Sequence, residues 1–224
     1  FAGWSFVGNL GIAMGGPAVN IIVNMFCGPA VNAARGIAYQ VSSVARNFVS
    51  NFQTAVNPQI TKRYAAGEIE SMKFLIKTAS KFSFFLLAII VVPLYVRADY
   101  VLDLWLEEVP DLTIEFLRGV LIVSLVTSMV DPFSTGIQAT GKIMIFQIAI
   151  SLIMLINIPV SYLFLSWGMA PYSVMYVAIF TEVIALLARM IILNNQVDID
   201  LRNIIIAVFL HNVFTGALLF ALPA

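Results

Sequence analysis

Residues 143–167 read IMIFQIAISLIMLINIPVSYLFLSW, with no charged side chain between Ile143 and Trp167. A bilayer core of about 30 Å takes about 20 residues of α-helix, so this stretch is long and apolar enough to cross one. Five comparable runs lie on either side: Ala2 to Phe26, Met72 to Val96, Leu112 to Ala139, Tyr172 to Leu193 and Asn203 to Leu222. Turn or polar residues separate them at Cys27-Gly28-Pro29, Asp99 to Asp111, Thr140-Gly141-Lys142, Gly168 to Pro171 and Asn194 to Arg202. Composition points the same way. Hydrophobic residues make up 61% of the chain and charged residues 11%, with a mean hydropathy of +0.96, against roughly 45–50% and 25% in soluble domains. The expected class is all-α, a polytopic transmembrane helix bundle.

Several function classes drop out early. Twelve basic residues balance twelve acidic ones, so nothing in the overall charge draws the chain to nucleic acid. Cys27 is the single cysteine, which excludes an internal disulfide and a cysteine-based zinc site. The sequence has no metal-ligand cluster and no nucleophile motif. A membrane-embedded glycan polymerase usually needs a substantial outer loop for its catalytic groups, and the connections here reach only about fifteen residues. No catalytic residue, metal or cofactor is expected, a coupling ion such as sodium or a proton aside. The chain opens on Phe1 and closes on Pro223-Ala224 just after an apolar run, and both ends read as cuts in a longer protein.

The segment Pro29 to Asn57 would be half rejected on hydropathy alone. Its periodicity identifies a helix. Asn32, Arg35, Tyr39, Ser42, Arg46, Ser50, Gln53 and Asn57 recur at steps of three or four, and Val31, Ala34, Ala38, Val41, Ala45, Phe48, Phe52 and Ala55 recur likewise on the other side. A helix lying on the membrane surface would carry more Lys and Arg than the two arginines present here. A seventh span with a polar stripe is therefore expected.

Lys and Arg accumulate in cytoplasmic loops. With seven spans, Lys62, Arg63, Lys73 and Lys77, then Lys142, then Arg189 and Arg202 all fall on one side. The acidic segment holding Asp99, Asp103, Glu107, Glu108 and Asp111 falls on the other and reads as an interfacial loop. The N-terminus of the chain is thus placed in the cytoplasm. His211, alone in the last apolar run, is expected to be a packed ring rather than a proton relay.

The stretch Phe26 to Glu68, FCGPAVNAARGIAYQVSSVARNFVSNFQTAVNPQITKRYAAGE, resembles the start of the C-terminal half of Wzx-type polysaccharide flippases. These belong to the MOP (multidrug/oligosaccharidyl-lipid/polysaccharide) exporter superfamily. Asp103-Leu104-Trp105-Leu106 with Val109-Pro110, and Gln138-Ala139-Thr140-Gly141-Lys142, are similar to an outer loop and a cytoplasmic turn of the same proteins. The resemblance implies one lobe of a two-lobe MATE-like fold, with residues 1–194 supplying family helices seven to twelve and residues 195–224 an additional C-terminal helix. It implies a bacterial inner-membrane protein that carries undecaprenyl-pyrophosphate-linked oligosaccharide from the inner to the outer leaflet. Its partners would be that lipid-linked oligosaccharide, the surrounding membrane lipids and the N-terminal lobe of the same chain. The alternative within the superfamily is a MATE-type antiporter of small organic cations.

Sugar hydroxyls and a pyrophosphate cannot cross a bilayer without a polar, hydrated groove. Arg35 and Arg46 are eleven residues apart, which returns them to nearly one face about 16 Å apart along a helix. Arginine binds phosphate oxygens through a planar fork and keeps its charge at every relevant pH. Asn32, Ser42, Asn47, Ser50, Asn51 and Gln53 are candidates to bond sugar hydroxyls or hold cavity water. Asp131 and Glu182 lie inside apolar runs, where a carboxylate either couples an ion or pairs with an arginine for structure. Asn20, Asn24, Gln147 and Asn157 are expected to be interhelical glue.

Overall fold

The computed structural model describes the backbone of residues 2–199 and the side chains of residues 15–199. Among these residues there are eight helices and no strand: α1 (Ala2–Cys27), α2 (Pro29–Ala65), α3 (Ile69–Val96), α4 (Ala98–Trp105), α5 (Thr113–Ser128), α6 (Val130–Ala139), α7 (Met144–Ser166) and α8 (Ser173–Val197). The all-α expectation holds. Four helical runs are long and apolar enough to cross a membrane, namely α3, α5 continued by α6, α7 and α8, and Gly15–Cys27 is a shorter apolar helix. The expected last span, Asn203 to Leu222, lies outside the described residues, as do Arg202 and His211.

α5 stands at the centre. It packs against α2 and α3 on one side and α8 on the other, while α1 lies on α7 and α7 on α8. Its side chains Phe116, Leu117 and Leu121 are fully buried, together with Ile76 and Leu87 of α3 and Phe133 and Ile137 of α6. In a bilayer the helices gain little from leaving lipid for each other, so close fit and interhelical hydrogen bonds must hold them. Gly119 supplies the fit: a Cβ there would come within 2.6 Å of Met175 on α8. The bonds are supplied by Ser42 with Ser124 at 2.6 Å, Ser80 to the Met129 carbonyl at 2.9 Å and Asn157 to Thr181 at 3.2 Å.

The structure corrects the expected elements in three places and, in a fourth, puts a break in a run that keeps its expected length. α2 continues past Asn57 through Pro58 to Ala65, because a proline removes one bond from a helix that its neighbours otherwise hold in place. The run Leu112 to Ala139 is broken at Met129 into α5 and α6. Pro132 explains this, since it has no N–H for the Ser128 carbonyl four residues earlier. That freed carbonyl accepts instead from the Gln53 side chain at 2.8 Å. The acidic connection after α3 is not loop throughout, for Ala98 and Leu102 form a buried i, i+4 pair on α4 while Asp99 and Asp103 are exposed. Arg189 belongs to no loop. It lies well inside α8 and is 6% exposed, so it does not count towards the charge bias used for orientation.

Between α1 and α2 the chain turns on Gly28 alone, at φ +85°, a backbone conformation that costs glycine nothing. α8 runs to Val197, so the division expected at residues 194 and 195 falls within its last turn.

Candidate functional site

α2 is a long helix rich in polar residues, and the structure sorts them onto different sides. Ala34, Arg35, Ala38, Ser42, Ala45, Val49, Gln53 and Ile60 are buried against the rest of the bundle. Arg46, Asn47, Ser50, Asn51 and Thr54 are exposed. The predicted stripe therefore divides between a helix seam and an open face, because α2 uses polar side chains for packing as well as for display. Phe48, read on the apolar side, is 64% exposed.

The open face borders a groove of about 300 Å³ between α2, α3 and α5. Arg46, Asn47, Ser50 and Gln53 line it from α2, with Ser124, Thr127 and Ser128 of α5 opposite. Each part is positioned locally. Gln53 is pinned at the floor by donating to the Ser83 hydroxyl at 3.1 Å and to the Ser128 carbonyl. Thr127 and Ser128 turn their hydroxyl hydrogens to the Val123 and Leu125 carbonyls of their own helix, which leaves oxygen lone pairs for the groove. Arg46 is the one charged residue lining it. Among the described residues the ion pairs are Arg63–Glu68 and Lys73–Glu70, so Arg46 makes none at contact distance.

Arg35 is in a different place. It is 4% exposed, hydrogen-bonds Asn20 of α1, and lies with its guanidinium carbon 4.9 Å from the Tyr39 ring centre. Its Nε has no hydrogen-bond partner. It borders a second, smaller cavity of about 170 Å³ inside the lobe, together with Asn157, Thr181 and Glu182. The two arginines thus serve separate cavities. Ser42 is in the seam with Ser124, Asn51 is exposed beyond the groove lining, and Asn32 is half-buried with an unpartnered Oδ1.

Of the two carboxylates, Asp131 accepts a hydrogen bond from Asn57 at 2.9 Å, and Glu182 lies within electrostatic reach of Arg189 and Arg46. Arg189 in turn lies within electrostatic reach of both Glu182 and Asp131, donates from Nε to Ser134 at 3.1 Å and lies over the Phe146 ring. Sequence reasoning missed this central position. It also missed the α5 wall, although Ser124, Thr127 and Ser128 recur at helical spacing within an apolar run and could have been found by the periodicity that revealed α2.

The MatE family profile matches residues 5–163, from α1 into α7, and so includes every residue that lines the groove. No curated protein and no solved structure matches the chain.

Proposed function

The chain belongs to the MatE family and is a multi-pass membrane transporter of the MOP exporter superfamily; we propose that its cargo is a lipid-linked oligosaccharide, moved from the inner to the outer leaflet of a bacterial inner membrane. The observation that carries this reading is the α2–α5 groove, with an arginine at its edge that makes no ion pair at contact distance and hydroxyls and amides along its walls. Uncharged hydrogen-bonding groups suit sugar hydroxyls, and one planar cation suits a phosphate. A groove for small organic cations would want carboxylates and aromatic faces, and neither lines this one. Facing lipid, the same side chains would be costly. Water, cargo or the other lobe of the protein must therefore cover them. Arg35, Asn32, Ser42 and Asn51 act in this reading as supports or flanks of the groove, and Glu182 as the charge that steadies Arg46, with Asp131 a candidate for ion coupling.

The test is flipping per molecule of inserted protein, measured with the complete protein in vesicles. Arg46→Lys should retain part of the rate, because a point charge still attracts phosphate. Arg46→Ala should lose about tenfold to a hundredfold, the equivalent of a charged hydrogen bond of about 1.5–3 kcal/mol. Equal flipping by wild type and Arg46→Ala would refute the reading.

A further inference from the structure

A second groove lies on the opposite flank of α2, and it is apolar. It holds about 520 Å³ between α2, α3 and α4, and its walls are three pairs of side chains at i, i+4 spacing: Val44 with Phe48, Ile90 with Leu94, and Val101 with Trp105. Residues so spaced stand one above the other on a helix face, so the pairs form ridges with a trough between them. Val44 is 62% and Trp105 54% exposed, which leaves the trough open along its length. Ser43 lines both grooves. Its hydroxyl donates to the Gln40 carbonyl at 2.7 Å, so the border between polar and apolar surface spans a single residue. Both volumes fall in or at the edge of the roughly 300–1,000 Å³ typical of ligand sites.

We infer that the apolar groove seats the hydrocarbon chain of the same lipid whose phosphate meets Arg46. The pairing on the two flanks of one helix is the geometry an amphiphile requires: a cationic, hydrogen-bonding groove continuous at Ser43 with a hydrocarbon one. Arg46 complements an anionic head group, and the walls of the second groove are apolar side chains of α2, α3 and α4, as a hydrocarbon chain requires while the head group is held in the polar one. This rests on the proposed function. It adds that the carrier's chain, and not its head group alone, is recognised.

Binding of undecaprenyl phosphate and geranyl phosphate to the complete protein in detergent separates the two claims. Wild type should bind the long-chain phosphate at least about tenfold more tightly than the short one. Val44→Trp, which fills the trough, should abolish that advantage while geranyl phosphate keeps the binding that its phosphate gains from Arg46. Leu94→Trp on the facing wall should do the same, and retained geranyl phosphate binding certifies that each variant is folded. Arg46→Ala should weaken both ligands. If Arg46→Ala weakens both while neither tryptophan variant touches the chain-length advantage, the chain site is wrong and the polar groove stands. If Arg46→Ala weakens neither ligand, the polar groove fails and the inference with it. A photoreactive benzoylphenylalanine replacing Phe48 should cross-link to the long-chain phosphate. Cross-linking instead to another segment of the same protein, undiminished by that lipid, would show that protein fills the groove and overturn the inference.

Discussion

Arg189 shows how one residue can be misplaced by a rule that is sound on average. Basic residues near helix ends generally report the cytoplasmic side, and Arg189 lies about two turns before the end of α8. Its side chain turns inward instead, to Ser134, the Phe146 ring and the two carboxylates Asp131 and Glu182. Its Nη1 is buried without a hydrogen-bond partner, and those carboxylates are opposite charges within its electrostatic reach. Removing one member of a buried charge cluster leaves the others uncompensated, at about 3–5 kcal/mol for a direct pair and less here, where no direct contact forms. Arg189→Ala should therefore lower the yield of folded, inserted protein. Adding Asp131→Asn and Glu182→Gln should restore much of it, as fluorescence-detected gel filtration would show. A normal yield for Arg189→Ala alone would mean that the cluster does not hold the lobe together. The linear sequence offers one of these partners, Glu182 two helical turns earlier, but Ser134, Asp131 and Phe146 belong to other helices, and only the fold brings them to Arg189.

The elements themselves were largely readable, and the exceptions have physical causes. Apolar length marked α3, α7 and α8, and polar periodicity marked α2, since both signals belong to a single helix. The α5–α6 break could be suspected from Pro132 but not located, because it depends on Gln53 of α2 taking up the Ser128 carbonyl. Short α4 was hidden by its acidic residues, which are the exposed ones. The candidate site was legible on the α2 side through Arg46, Asn47, Ser50 and Gln53. It was not legible as a groove, because the depth comes from α5. The split of Arg35 from Arg46 likewise needed the neighbouring helices, since helical phase brings both to one side of α2 and only packing decides what each side meets. Close packing of α5 on α8 offers a direct check on this arrangement. Gly119→Leu should destabilise the lobe by about 1–3 kcal/mol, as overpacking does, and Met175→Ala should relieve part of that loss. Thermal unfolding in detergent measures both, and a silent Gly119→Leu would be incompatible with the 2.6 Å approach to Met175.

Across the described residues, the chain forms a helical membrane bundle in which α2 has a buried back, a polar flank and an apolar flank. The orientation expected from the basic loops rests on Lys62, Arg63, Lys73, Lys77 and Lys142 once Arg189 is set aside. Cysteines replacing Lys62, Lys142 and Asp198 should be shielded from an impermeant thiol reagent in intact cells, and one replacing Glu107 should react. Reaction at position 62 would reverse the orientation. The central claim is that the α2–α5 groove is a hydrated path used by the cargo. It is tested most directly in the complete protein carrying Cys27→Ser, with single cysteines replacing Asn47 or Ser50 in the groove and Leu155 or Ile156 on the exposed apolar side of α7. A water-soluble thiol reagent should label positions 47 and 50 in purified, reconstituted protein, and saturating lipid-linked oligosaccharide should slow that labelling about tenfold or more, as occupancy of the groove would. Positions 155 and 156, on that apolar side, should stay unlabelled. Labelling at 47 and 50 that is absent, or that proceeds at the same rate with and without the cargo, would contradict the claim.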